Sequence, residues 1–360
     1  MAQADIEYHN LLKNILENGF IKGDRTGTGS KSIFGTKLYF DLTNNKIPLL
    51  TTKKMFTKGI VYELFWFLGY HMRLPEYKEF GLTNLKWLVD NNVNIWIGDA
   101  YKKYTKCEVI DESNGYTVIS PRGHYTHETK ENFIDQIKTN NIFAKQWGEL
   151  GPIYGKQWIN WQVNEAAWIN QIQQLIHDLK NNPDSRRLLV TAWNPADVNK
   201  TVLPPCHYGF QCWTRELSLE ERIQWVMKNC DIDLENLAIT EEALSDRTPK
   251  RALSLQWHQR SVDTPLGLPF NIASYAILTH MLARTLNMVA ERLIFDGGDT
   301  HIYLNQINEV EEQLLRSTTK HEAPTIKFNT NETDIWKLNP SDIKIENYTS
   351  EPTIDFPLSN

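Results

Sequence analysis

Apolar residues at Ile6, Leu11, Leu12, Ile15 and Leu16 recur at helical spacing and predict a first amphipathic helix ending near Gly19. Leu38, Phe40 and Leu42 alternate with polar neighbours, the pattern of a half-buried strand. From Thr57 to Leu68 the chain is apolar on most sides, so the predicted helix is a buried one with Glu63 inside it. Ile169, Ile172, Leu175, Ile176 and Leu179 form a regular helical stripe that stops at Asn181-Asn182-Pro183. Arg187 to Trp193 and Leu253 to Trp257 alternate as strands do. Ile272 to Leu286 is a second strongly apolar helix, and Leu304 to Leu315 a third, more exposed one. Three polar or turn-rich stretches, near 70–80, 102–146 and 216–251, read as insertions, each with room for a short helix. No Gly/Ser linker or internal repeat divides the chain. The pattern predicts a single α+β domain over residues 1–360, with a mixed sheet, packed helices and three insertions.

The 360 residues are 41% hydrophobic and 23% charged, ordinary values for a globular protein, and long enough to bury a large core. Lys+Arg 38 against Asp+Glu 44 leaves a net charge of −6, which argues against generic binding to nucleic acid or to an anionic membrane. No apolar run approaches the roughly 20 residues of a spanning helix, and the first residues lack the basic-then-apolar layout of a signal peptide. Four cysteines without C-x-x-C spacing (Cys107, Cys206, Cys212, Cys230) are too few for a disulfide scaffold, so a reducing cytoplasm is expected.

Chemistry concentrates in a few places. In Leu203-Pro204-Pro205-Cys206-His207, two prolines forbid helix and hold Cys206 at a rigid bend entering a strand. Such a thiol can face a cleft; a buried structural cysteine is the equally common alternative. To be a nucleophile it needs cationic neighbours. Asp184-Ser185-Arg186-Arg187 supplies a candidate pair, solvated in the plain reading and a phosphate fork in the functional one. Arg25, in the glycine-rich stretch Asp24 to Gly29, is a third candidate, although the loop has neither Walker nor Rossmann spacing. Glu63 stands among Tyr62, Leu64, Phe65, Trp66, Phe67 and Leu68, where a carboxylate is costly unless it is hydrogen-bonded or protonated, so it reads as a general acid or base. Gln259-Arg260-Ser261, Asp263 and Leu266 to Asn271 form one polar cluster, and Gly298-Asp299-Thr300-His301-Ile302-Tyr303 another. Cys206, His207, His258 and His301 have no paired-ligand spacing, so no metal is expected.

Together these motifs resemble the thymidylate synthase family. The matching stretches are Asp24 to Gly29, Thr51-Thr52-Lys53-Lys54, Glu63 to Leu68, Gly151 to Trp158, Asp184 to Arg187, Leu203 to His207, Gln259 to Ser261, Leu266 to Tyr275 and Gly298 to Tyr303. They run in order from about Tyr8 to Arg316. The resemblance implies reductive methylation of dUMP to dTMP, with 5,10-methylenetetrahydrofolate as co-substrate and dihydrofolate as by-product. It implies that Cys206 attacks carbon 6 of the uracil ring. Arg25, Arg260 and Ser261 would bind the phosphate beside Gln259, and Arg186 and Arg187 would reach it from the partner subunit of a homodimer. Glu63 would move protons through water, Tyr154 would assist removal of the carbon 5 proton, and His301 and Tyr303 would hold the deoxyribose hydroxyl. Lys54, Trp96, Asp263, Leu266, Gly267 and Phe270 would line the folate side. Asn271 would accept from the uracil ring N–H and donate to its carbonyl, whereas members acting on dCMP carry aspartate there, so dUMP is expected.

Two stretches depart from the family pattern. Ile95-Trp96-Ile97-Gly98-Asp99 stands where the bacterial synthases have Ile-Trp-Asp-Glu-Trp, with Tyr101 a candidate for the missing second tryptophan. The chain finishes Pro352-Thr353-Ile354 to Leu358-Ser359-Asn360 instead of ending in Ala-Val. Both touch the last step, in which hydride gives a methyl group and water a hydroxymethyl group. A dUMP hydroxymethylase is therefore the alternative expectation, and a non-catalytic nucleotide-binding protein a third.

Overall fold

The structure, a computed structural model, describes residues 3–24, 27–106, 108–109, 119–120, 128–229, 244 and 248–359. The helices among these are α1 (Gln3–Asn18), α2 (Thr57–Phe67), α3 (Lys86–Asp90), α4 (Ile97–Lys106), α5 (Lys130–Thr139), α6 (Asn141–Trp147), α7 (Tyr154–Ile159), α8 (Gln171–Asn181), α9 (Leu219–Asn229), α10 (Gly267–Thr285) and α11 (Ile307–Leu314). The strands are β1 (Phe20–Lys22), β2 (Ser30–Asp41), β3 (Glu108–Val109), β4 (Ile119–Ser120), β5 (Trp161–Asn164), β6 (Ala167–Ile169), β7 (Leu189–Thr191), β8 (His207–Glu216), β9 (Arg251–Asp263), β10 (Val289–Tyr303), β11 (Thr325–Phe328) and β12 (Ile343–Glu346). No helix among the described residues is long and apolar enough to cross a membrane.

Two compact units emerge, each assembled from separate stretches of chain: 1–60, 172–190 and 206–360 in the first, 61–171 and 191–205 in the second. The first is built on a six-stranded sheet of order β1-β2-β10-β9-β8-β7. Its strands pair antiparallel except β9 with β10, which run parallel, so the sheet is mixed as its sequence predicts. Alternation sorts β9 by face: Leu253, Leu255 and Trp257 point inward and are fully buried. Against them lies α10, apolar all round and buried along almost its whole length, with Tyr275 stacked on Trp257 at 5.2 Å. Each such side chain contributes about 1.5–3 kcal/mol on burial. On the other side of α1's polar stripe, Tyr8, Leu11, Leu12 and Ile15 are buried, and the Tyr8 hydroxyl donates to Thr264 O at 3.0 Å.

The predicted strand from Arg187 to Trp193 is shorter than its alternation suggests. Only Leu189–Thr191 form β7, and Arg186 and Arg187 lie in the irregular stretch after α8, where Leu189 N donates back to Arg187 O at 2.9 Å. Pro183 and Pro195 bracket this stretch, and beyond the three-residue strand Leu188 O still accepts Cys212 N of β8 at 2.7 Å. The helix predicted from Ile272 begins five residues earlier, at Gly267, because Pro269 falls within the first turn, where its missing N–H costs nothing.

In the second unit α2 ends where Gly69 takes a left-handed φ of 69°. A Cβ on Gly155 would lie 2.8 Å from the Phe67 carbonyl oxygen, so only glycine lets α7 approach α2 this closely. Aromatic rings fill the core: Phe67 against Trp158 at 5.6 Å, and Tyr104 against Phe133 and Trp147 at 5.2 and 5.0 Å.

Candidate active site

In the first unit the nucleophile candidate sits where β8 begins. Pro204 and Pro205 keep the backbone extended up to Cys206, which is half-buried. The Cys206 carbonyl accepts the Arg260 N–H at 2.8 Å, and His207 pairs with Gln259 in the β8/β9 register. Sheet pairing therefore sets Cys206 beside Gln259 and Arg260, which are separated from it by more than fifty residues. Burial pushes the pKa of adjacent His207 down to about 3, which favours a neutral imidazole, and its Nδ1 is 2.9 Å from the Tyr275 hydroxyl.

Gln259 is 2% exposed and spends each end of its amide. Its Nε2 donates to Ser261 O at 3.1 Å, which turns Oε1 toward Asn271 Nδ2 at 3.0 Å, with Trp257 Nε1 also donating to that oxygen. Asn271 thus has one face of its amide fixed and presents the remaining Nδ2 hydrogen and Oδ1 side by side. That donor–acceptor pair complements the carbonyl and N–H of a uracil edge.

Parallel pairing of β9 and β10 aligns Asp299 with Ser261 and His301 with Asp263. His301 Nδ1 is 3.1 Å from Asp299 Oδ1, and its ring meets Tyr303 edge-on at 5.0 Å. Burial raises the Asp299 pKa, but the hydrogen bonds from Lys22 and Ser32 outweigh it and hold the carboxyl below its usual range. Asp263 is the reverse case: burial lifts its pKa despite the Leu266 N–H that it accepts at 3.1 Å.

Lys54 is exposed, while its neighbour Lys53 is 4% exposed, donates to Pro265 O and lies 4.5 Å over the Phe356 ring. Burial brings the Lys53 pKa down to about 7 against the opposing pull of Asp263. The sequence names Lys54 for the folate side. Lys53 escapes that reading because two adjacent lysines look alike until one is inside. Gln306 Nε2 donates to Pro357 O and Ser359 Oγ to Asn305 Oδ1, so the last described residues lie docked on this unit.

The second unit carries the acid–base candidates. Glu63 on α2 is 7% exposed and accepts from Trp96 Nε1 at 2.8 Å. Burial raises its pKa to about 7, and the Trp96 hydrogen bond only partly opposes that. Tyr154, the first residue of α7, is buried with its ring 4.8 Å from Phe67 and 5.9 Å from Trp96. Glu63, Trp96 and Tyr154 are therefore one packed cluster. Tyr101 packs on Phe133 at 5.5 Å and donates to Glu128 O, inside the α4/α5 aromatic group.

Of the remaining expected residues, Arg186, Arg187 and Arg260 are exposed, Ser261 lies near the end of β9, Leu266 caps α10, and Gly267 and Phe270 lie in its first turn. Arg25 and Asn360 are outside the described residues.

The family profile described as thymidylate synthase matches residues 6–360. The thymidylate synthase of Malacoplasma penetrans (strain HF-2) is 39% identical over 348 residues, covering 97% of both chains. That of Listeria monocytogenes serotype 4a (strain HCC23) is 36% identical over 359 residues, covering 98% of this chain and 99% of the relative. The Mycoplasma mobile thymidylate synthase is 39% identical over 348 residues.

Proposed function

The chain belongs to the thymidylate synthase family and methylates dUMP to dTMP, and from that premise we propose which residues carry the reaction. The thiolate of Cys206 adds to carbon 6 of the uracil ring, which makes carbon 5 nucleophilic. Methylenetetrahydrofolate supplies the one-carbon unit and then the hydride, leaving as dihydrofolate. Asn271 holds the pyrimidine edge, with its amide oriented by Gln259. Arg260, Ser261 and Arg25 bind the phosphate, and Asp299 holds His301 ready, with Tyr303, for the deoxyribose hydroxyl. Glu63, with a pKa near neutrality, relays protons to and from the ring carbonyl and the departing amine. Tyr154 assists removal of the carbon 5 proton. Lys54, Trp96, Asp263, Leu266, Gly267 and Phe270 line the folate side, joined by Lys53. The whole chain acts as one catalytic domain.

The observation that carries this reading is the short path along β9. One strand sets the Cys206 carbonyl against Arg260 N–H and the Gln259 amide against Asn271, so nucleophile and uracil-selecting amide share one support. The test is incubation with dUMP and methylenetetrahydrofolate, following dihydrofolate by absorbance and the nucleotide by mass. Dihydrofolate together with dTMP is expected. Hydroxymethyl-dUMP without dihydrofolate would assign the last step to water, an outcome the named relatives do not favour.

Asn271→Asp tests the pyrimidine reading. A carboxyl suits the amino and ring nitrogen of cytosine, and it removes the donor facing Gln259 Oε1. Turnover of dUMP should fall about 100-fold or more while dCMP becomes a substrate. Unchanged dUMP preference would remove Asn271 from substrate selection.

A homodimer in which Arg186 and Arg187 serve the partner's phosphate site fits the outward sheet face, where Tyr39, Tyr208, Trp213 and Leu189 are all exposed. Arg186→Glu and Cys206→Ala should each be inactive alone. Co-expressed, they should recover about a quarter of the wild-type sites, because half the dimers are mixed and each mixed dimer has one intact site. No recovery would return Arg186 to its own subunit.

A further inference from the structure

We propose that Asp5 is a positioning residue for the folate half of the reaction, acting through the Thr51-Thr52 turn; this rests on the function proposed above. Asp5 lies in the first turn of α1 and is fully buried. A buried carboxylate is tolerated only where its lone pairs are filled, and here four donors fill them. Thr51 N donates at 3.0 and 3.1 Å to the two oxygens, Thr51 Oγ1 at 2.7 Å, Thr52 N at 3.1 Å and Thr52 Oγ1 at 2.9 Å. All four come from two consecutive residues, so the carboxylate dictates the conformation of that turn.

What the turn holds in place gives Asp5 its role. Lys53 and Lys54 follow directly, and the buried Lys53 ammonium bridges Pro265 O and the Phe356 ring. The carbonyl side of the same turn holds the C-terminal stretch. Thr51 O accepts Glu351 N at 2.8 Å, and Arg316 Nη1 joins Thr52 O at 2.8 Å to Pro352 O at 2.6 Å. Gln313, also fully buried, donates to Thr52 Oγ1 at 3.1 Å, which commits that hydroxyl's own proton to Asp5. One carboxylate on α1 therefore fixes both the lysine pair and the strap that carries Phe356.

Asp5→Asn replaces an acceptor facing four donors with a group that is itself half donor. It should raise the KM for methylenetetrahydrofolate roughly tenfold, with dUMP affinity, read by calorimetry without folate, within about twofold of wild type. Asp5→Glu keeps the charge and should recover most of the loss. Thr52→Val, a near-isosteric change, should raise the folate KM in the same direction and serves where Asp5→Asn does not fold. Equal losses toward both substrates, or an unchanged folate KM in Thr52→Val, would overturn the proposal and leave Asp5 structural. Wild-type enzyme and Cys206→Ala run in parallel keep this separate from the underlying reading, which fails if Cys206→Ala still forms dTMP.

Discussion

Cys206→Ala should abolish dTMP formation, a loss of about 10,000-fold or more, because removing a nucleophile removes the step that activates carbon 5 and leaves nothing to replace it. The same change at Cys212 should leave turnover within about twofold of wild type. The two thiols are six residues apart yet differ completely. Cys212 points inward from β8, is 1% exposed, and burial pushes its pKa up to about 12, so it stays protonated and inert. Cys206 follows two prolines, is partly open, and has its carbonyl tied to the strand that bears Arg260. Serine at 206 should fare little better than alanine, since a hydroxyl is far less acidic than a thiol. The readouts are dihydrofolate absorbance and a mass measurement of protein incubated with both substrates, where the covalent adduct should vanish. Residual turnover above about one per cent in Cys206→Ala would rule out an obligatory thiol adduct.

Much of this site is legible in the sequence for local reasons. Two prolines before a cysteine fix its backbone whatever else the chain does, and a glutamate in a run of aromatics is buried because the helix offers it no other face. Cross-strand facts are less accessible. That Gln259 orients Asn271 requires a strand and a helix start to meet, and nothing in either segment announces it. Asp5 reads as an ordinary first-turn acid favoured by the helix dipole, because its partners lie 46 and 47 residues away. Lys53 and Lys54 cannot be told apart by type; burial alone separates them. Nor does any linker composition mark the two compact units, since each is closed by segments distant in sequence.

Glu63→Gln should lose about 100- to 1,000-fold in kcat while gaining stability at alkaline pH. The two effects have one cause. Burial lifts the Glu63 pKa from an unfolded value near 4.5 to about 7, and a hydrogen bond from Trp96 Nε1 favours the charge without cancelling that shift. A raised carboxyl pKa means that the folded state holds its proton longer than the unfolded chain does. Stability from this group is therefore complete below about pH 4.5 and drains away as the pH rises through 7, by an amount on the order of 3 kcal/mol. Glutamine keeps the neutral form at every pH. The difference in denaturant midpoint between Glu63→Gln and wild type should thus be small near pH 5 and grow in favour of the variant toward pH 8.5. Activity follows the opposite logic. A proton relay works in both directions only if its pKa lies close to the operating pH, so wild-type kcat should carry an ionisation near 7 that the variant's residual activity lacks. A stability difference that stays flat with pH would mean that Glu63 is ionised throughout in the folded protein, and the relay would then have to reside in another group.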